Sequence, residues 1–187
     1  LRVKKFESFG KRDAPVKQQS GDPNLQAAKK FGVALGGGAA LGWAHIGALR
    51  ALEEAGLRPA FVAGTSMGAI VGAAWLCGAI DALEEIARAM SWRKLLAYAD
   101  PRLGRSGGLF RGEAIMRELV RHLGRRMIED LPAPFCAVAA DLVSGEEVWF
   151  REGALEFAVR ASIGVPGVFH PVSHHRHLLA DGGLLNP

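Results

Sequence analysis

Among 187 residues there are only two cysteines, Cys77 and Cys136, and no C-x-x-C spacing. That scarcity excludes a disulfide scaffold and a structural zinc site, and it fits a reducing compartment. No apolar h-region follows the basic N-terminus, so no secretory signal is read and the expected location is cytoplasmic. Aromatic residues make up 7% of the chain. No basic motif with interleaved aromatics occurs, so no nucleic-acid-binding core is expected. One stretch lacks charge altogether: no Asp, Glu, Lys or Arg falls between Pro59 and Asp81.

What charge there is lies unevenly. The net of +4 comes from residues 1–30, which carry eight Lys/Arg against three Asp/Glu, while residues 31–187 carry fifteen against sixteen. Residues 1–30 are therefore read as a basic, flexible extension. It is either simply solvated or able to touch anionic lipid, at about 1 kcal/mol per basic residue near such a surface. Residues 31–187 are read as one domain, long enough for a single core. A second basic region, residues 88–126, holds ten Lys/Arg and three Asp/Glu. It reads as a solvated helix face or as a surface toward phosphate headgroups.

The charge-free stretch has two readings. It contains Gly64-Thr65-Ser66-Met67-Gly68, a G-x-S-x-G pattern preceded by apolar Phe61-Val62-Ala63 and followed by a helix-tolerant run. Strand, sharp turn and helix are the context that makes this pattern a nucleophile elbow, with Ser66 at the apex and glycines where a Cβ would collide. Alternatively, residues 31–49 and 61–80 are spanning helices, and Gly64, Gly68 and Gly72 form overlapping G-x-x-x-G helix-pairing patterns. Six glycines in residues 32–47 and the Thr65-Ser66 pair weigh against spanning.

The rest of the chain reads as alternating elements. Phe31–Leu35 is a buried strand that ends in Gly36-Gly37-Gly38. Ala39–Gly56 has helical spacing, Ala60–Ala63 is a strand, and Asp81–Met90 is a helix with Asp81 as N-cap. Gly112–Leu123 is helical and Phe135–Ala140 is a buried strand. Ser144-Gly145 turns the chain into Glu147–Phe150, Gly153–Ser162 is helical, and Ile163–Val172 is a shaped loop. Leu178-Leu179-Ala180 is a short strand entering Asp181-Gly182-Gly183. The order predicts a parallel α/β arrangement with both glycine turns at one carboxyl edge of the sheet. The triple glycine fails the dinucleotide pattern at Leu41, and no G-K-[ST] follows, so nucleotide binding is unsupported. Its amides could instead form an oxyanion hole.

A serine needs a base. Either a triad of Ser66, Asp141 and one of His170, His174, His175 or His177 assembles, or Asp181 alone is the base, its pKa raised by burial. Spacing leaves both open. The histidine run is read as lying in a loop with no metal, since no carboxylate or cysteine is spaced with it. His45 is read as a packed helix residue.

Three motifs in register carry a resemblance: Gly36-Gly37-Gly38-Ala39-Ala40-Leu41-Gly42, Gly64-Thr65-Ser66-Met67-Gly68 and Asp181-Gly182-Gly183. Connectors match as well, at Trp43-Ala44-His45-Ile46-Gly47, Leu52-Glu53-Glu54-Ala55-Gly56 and Arg160-Ala161-Ser162 through Pro166 to Phe169-His170-Pro171-Val172. Over about residues 31–187 the chain resembles the patatin-like phospholipases, most of all their bacterial branch related to neuropathy target esterase. The resemblance implies a three-layer α/β/α patatin-like fold with a mainly parallel central sheet. It implies Ser66 as nucleophile, Asp181 as base and no catalytic histidine. An oxyanion hole would come from Gly36, Gly37 and Gly38, with Gly64, Gly68, Gly182 and Gly183 as motif glycines. No cofactor or metal is implied. The implied substrate is a phospholipid or lysophospholipid, met through peripheral membrane contact. Leu41 departs from the family's usual Arg or Lys, which bears on substrate preference and rate. The stop at Pro187, just after an apparent turn, gives the expectation that the native chain continues.

Overall fold

The computed structural model of the chain describes residues 30–89, 108–110 and 121–187. The extension at residues 1–29 and most of the basic region 88–126 lie outside the described residues.

Strand β1 (Gly32–Leu35) runs into the glycine turn, where Gly38 takes φ 124° and Ala39 takes φ 47°. The chain restarts as a short 3-10 helix (Ala39–Trp43) before α1 (Ala44–Glu54). The helix expected from Ala39 is thus regular only from Ala44, because the positive φ values upstream prevent an immediate α-helical start. Strand β2 (Phe61–Thr65) leads through Ser66 into α2 (Met67–Leu76), and α3 (Ile80–Ala89) follows. Asp81 does not cap α3. It lies inside the first turn and pairs with Arg50 of α1 at 2.6 Å, which links the two helices.

Further along come β3 (Gly108–Phe110), a 3-10 turn (Ile128–Asp130), β4 (Phe135–Asp141), β5 (Glu147–Phe150) and α4 (Leu155–Ser162). Strands β6 (Gly167–Phe169), β7 (Val172–His174) and β8 (His177–Asp181) follow, and a last 3-10 turn spans Gly182–Leu184. The loop expected at residues 163–172 therefore holds β6, which pairs in parallel with β3 in a small second sheet. The histidine run is not a loop either. It forms the β7–β8 hairpin, with His175 at φ 53° in its turn.

The main sheet has six strands, in which β1, β2 and β4 are parallel and β5, β8 and β7 are antiparallel additions. Strand β4 is buried along all seven residues and is its centre. One edge of β4 carries β5, opposite residues 137–140. The other edge carries two strands end to end: β2 opposite residues 135–138 and β8 opposite residues 139–141. Strand β2 runs with β4 and β8 runs against it, so their carboxyl ends face each other at Val138 and Ala139.

Helix α2 packs across β1, β2 and β4, and α4 packs across β4 and β8. The core joins Leu35, Leu49, Val62, Val71, Phe135, Phe150, Leu155, Val159 and Leu179. The glycines of α2 are explained by this packing. A Cβ at Gly72 would come within 3.3 Å of side chains from Leu35, Val62 and Phe135, one from each parallel strand. One at Gly64 would reach the Gly68 and Ala69 backbone at 2.5–2.6 Å. Their spacing reports close approach of helix to sheet, not helix pairing in lipid. Residues 31–49 and 61–80 divide into strand and helix, and among the described residues no helix is long and apolar enough to cross a membrane.

Candidate active site

Ser66 leaves β2 with φ 54° and ψ −121°, a conformation costly for any residue with a Cβ, at about 1–3 kcal/mol. It occupies the N-cap position of α2 but makes no capping hydrogen bond with its side chain. A serine at an N-cap normally spends its hydroxyl on the helix. Here the unusual φ turns it away and keeps it available.

Two features hold this geometry. Gly68 must be bare, because a Cβ there would overlap the carbonyl oxygen of Leu35. The Ser66 amide also donates to the hydroxyl of Ser162 at 2.9 Å, and that hydroxyl donates to the carbonyl of Val138 at 2.6 Å. Ser162 is fully buried at the end of α4. It ties the elbow to β4 at the place where β2 gives way to β8. In the sequence Ser162 stands only within the Arg160-Ala161-Ser162 connector. No spacing rule singles out a buried serine whose two partners are 96 and 24 residues away.

Asp181 arrives from the opposite direction. Thr65 sits opposite Val138 and Asp181 sits opposite Ala139, so Ser66 and the Asp181 carboxylate leave adjacent rungs of one strand. Gly182 makes this approach possible, since a Cβ there would overlap the Val138 carbonyl. The Asp181 amide donates to the Gly164 carbonyl at 2.9 Å, and its Oδ1 accepts from the Gly183 amide at 2.8 Å. Oδ2 is buried and receives no closed hydrogen bond. Burial pushes the carboxyl above its ordinary value, and the Ser66 hydroxyl and the Gly183 amide oppose part of that rise. Ser66 thus lies within electrostatic reach of a carboxylate that still has an unused acceptor.

The glycine turn closes the third side. A Cβ on Gly37 would stand 3.6 Å from the Cβ of Ser66, so this turn lies directly against Ser66. Gly36 lies beside Pro187. The Gly36 carbonyl accepts from Nε2 of His45 at 3.0 Å, so His45 reaches back to the turn and does more than pack its helix.

Asp141, the triad candidate, is committed elsewhere. Its Oδ1 accepts from the amides of Val143 (3.1 Å) and Leu178 (3.0 Å), and its Oδ2 from the Ser144 hydroxyl (2.8 Å) and His177 Nδ1 (2.8 Å). Burial would raise this carboxyl, but the four donors outweigh it and hold it well below the usual range. His177 begins β8, four residues before Asp181, about 13 Å along an extended strand. His174 and His175 line a cleft of about 180 Å³ with Phe150, Val148 and Leu179, on the β5 and β7–β8 side of the sheet. Among the described residues no group of three or more His, Cys, Asp or Glu could hold a metal ion.

The sequence profile of the patatin-like phospholipases matches residues 33–187. The chain belongs to the patatin-like phospholipase family. This patatin-like chain is 42% identical over 158 residues to an uncharacterized NTE family protein of Mycobacterium tuberculosis, covering 84% of this chain and 44% of that protein. It is 36% identical over 158 residues to patatin-like phospholipase domain-containing protein 6 of Mus musculus, over 81% of this chain and 12% of that protein. The chain thus spans less than half the length of these curated relatives. Among solved structures it resembles VipD from Legionella pneumophila, with a TM-score of 0.66 at 16% identity, over 84% of this chain and 47% of VipD. That likeness concerns the patatin fold alone.

Proposed function

We propose that this chain is a serine acyl-ester hydrolase of the phospholipase A or lysophospholipase type. Ser66 is its nucleophile, Asp181 its base, and the amides of the Gly36–Gly38 turn its oxyanion hole. One observation carries the reading: a serine held at positive φ, with its hydroxyl unspent, faces a buried carboxylate with one unpartnered oxygen.

The chemistry runs in two halves. Asp181 takes the hydroxyl proton as Ser66 Oγ bonds to the ester carbonyl carbon. The carbonyl oxygen becomes an oxyanion facing the glycine turn, where each well-placed donor is worth about 3–4 kcal/mol. The C–O bond to the alcohol then breaks, and the alcohol leaves with the proton from Asp181. In the second half Asp181 takes a proton from water, whose oxygen attacks the acyl-enzyme. Collapse releases the fatty acid and returns the proton to Ser66. The N-terminus of α2 adds a positive pole beside the developing charge.

Support for a lipid substrate comes from the family and from the rim of the site. Leu41, beside the glycine turn, is 84% exposed, and Leu184 and Leu185, just after Asp181, are also exposed. An apolar rim suits acyl chains and peripheral contact with a membrane.

The test is covalent labelling by a fluorophosphonate probe, with hydrolysis of a short-chain ester and of lysophosphatidylcholine measured alongside. Loss of labelling in Ser66→Ala and loss of turnover in both Ser66→Ala and Asp181→Asn is the expected result. Labelling that survives Ser66→Ala sinks the proposal. The Asp141–His177 contact keeps a triad in view, and His177→Asn decides it. Full activity in that variant supports the dyad, whereas abolition with Asp181→Asn still active favours the triad.

A further inference from the structure

We propose that His45 is a positioning residue for the oxyanion hole, fixing which way the Gly36–Gly37 peptide faces. This rests on the catalytic reading above and names a group that reading leaves out. His45 lies on α1, half-buried, and its Nε2 is 3.0 Å from the Gly36 carbonyl oxygen. A carbonyl only accepts, so Nε2 carries the proton and donates. The same oxygen is confined from a second side, where a Cβ at Gly68 would come within 2.7 Å of it.

The described residues contain no cis peptide, so the Gly36–Gly37 unit is trans and its C=O and N–H point in opposite directions. With the carbonyl held toward His45 and α2, the Gly37 N–H is turned away from both. Gly37 itself stands against Ser66. A peptide between two glycines has almost no conformational preference of its own, because neither residue has a Cβ to forbid the flipped orientation. The glycines' own sterics therefore leave the donor free to turn over, and the His45 hydrogen bond, with α2 packed close to the same oxygen, selects one orientation. Packing reinforces it: Gly42 lacks a Cβ where Met67 lies, with His45 Cδ2 3.8 Å from that position. Met67, the residue after Ser66, and His45 thus pack around the same bare position at Gly42.

The experiment compares His45→Gln with His45→Met in the otherwise intact chain, with His45→Ala as the plain deletion. Gln and Met are close in length and helix propensity, and only Gln keeps a donor. Three quantities are read: kcat and KM for a chromogenic ester, Ki for a trifluoromethyl ketone of matched acyl chain, and melting temperature. A trifluoromethyl ketone forms a tetrahedral oxyanion, so its Ki reports the hole, whereas KM reports ground-state binding.

The Met variant is expected to lose about 10²–10³-fold in kcat with KM little changed, as for loss of one oxyanion donor. Its Ki should rise by the same factor as kcat/KM falls, and Gln should recover most of both. The proposal is overturned if Met and Ala match wild type, or if Gln is no better than Met. It is also overturned if kcat falls while Ki does not move. Where Ala does not fold, the Gln–Met comparison decides alone. Failure of the catalytic reading is separately visible, because wild-type hydrolysis would then survive Ser66→Ala whatever the His45 variants do.

Discussion

Two buried aspartates sit two rungs apart on neighbouring strands, and their surroundings push them in opposite directions. Asp181 has burial without enough donors, so its carboxyl is raised; Asp141 has burial with four donors and is lowered. Under the proposed dyad the catalytic consequence falls on Asp181, which must be ionised to accept a proton. The acid limb of kcat/KM should lie above the ordinary aspartate value of about 3.9, and a limb at or below that value would count against Asp181 as base. The stability consequences have opposite signs. A raised carboxyl favours the folded state while protonated and loses that contribution as pH climbs through its folded pKa. Asp181→Asn cannot ionise. It should lose at least about 10³-fold in turnover and yet melt higher than wild type at pH 7, with the gap closing as pH falls through the raised folded pKa toward about 4. Asp141 contributes stability above its unfolded pKa and loses it as pH falls. Asp141→Asn should therefore be most damaging at neutral pH, and thermal melts across pH 3–8 would show the two variants diverging.

At the scale of elements, the glycines separate into those that touch something and those that do not. Gly68 and Gly182 lie where a Cβ would overlap a backbone carbonyl, whereas Gly47 in α1 has nothing within 4 Å of its Cβ position. Gly68→Ala should fail to fold or lose several kcal/mol, because backbone cannot give way as a side chain can. Gly47→Ala should raise stability by about 0.5–1 kcal/mol through helix propensity. Chemical denaturation of both reads the contrast. Ser162→Ala belongs to the same scale: it strips the partner from one buried amide and one buried carbonyl, at about 1–3 kcal/mol each, and frees the elbow. These glycines are why the candidate site is legible in the sequence. Close approach of backbone to backbone demands Gly, and Gly clusters are visible as letters. The histidine hairpin and β6 were not legible, because strands of three residues carry too little alternation to stand out from a loop. Ser162 and His45 were missed for another reason. Each acts through one hydrogen bond to a backbone group set by the tertiary fold, and sequence pattern contains no trace of it.

Across the whole molecule, the sheet is parallel where it leads into Ser66 and antiparallel where it delivers Asp181. The alternation of elements along the chain predicts the first half well, since β1, β2 and β4 follow the strand–helix rhythm. The antiparallel return of β8 does not follow from that rhythm. It depends on β4 exceeding β2 by three residues and offering them a partner. A chain ending at Arg176 keeps Ser66, the glycine turn and α2, but lacks Asp181 and two of the donors on Asp141. It should show no ester hydrolysis and a lower melting temperature than the chain ending at Pro187, measured side by side.

That late arrival of β8 has a bearing on synthesis. Ser66 leaves the ribosome 115 residues before Asp181, so the emerging polypeptide holds the proposed nucleophile without the proposed base. Under the proposed dyad, ester hydrolysis therefore begins only once β8 has been made and has paired with β4.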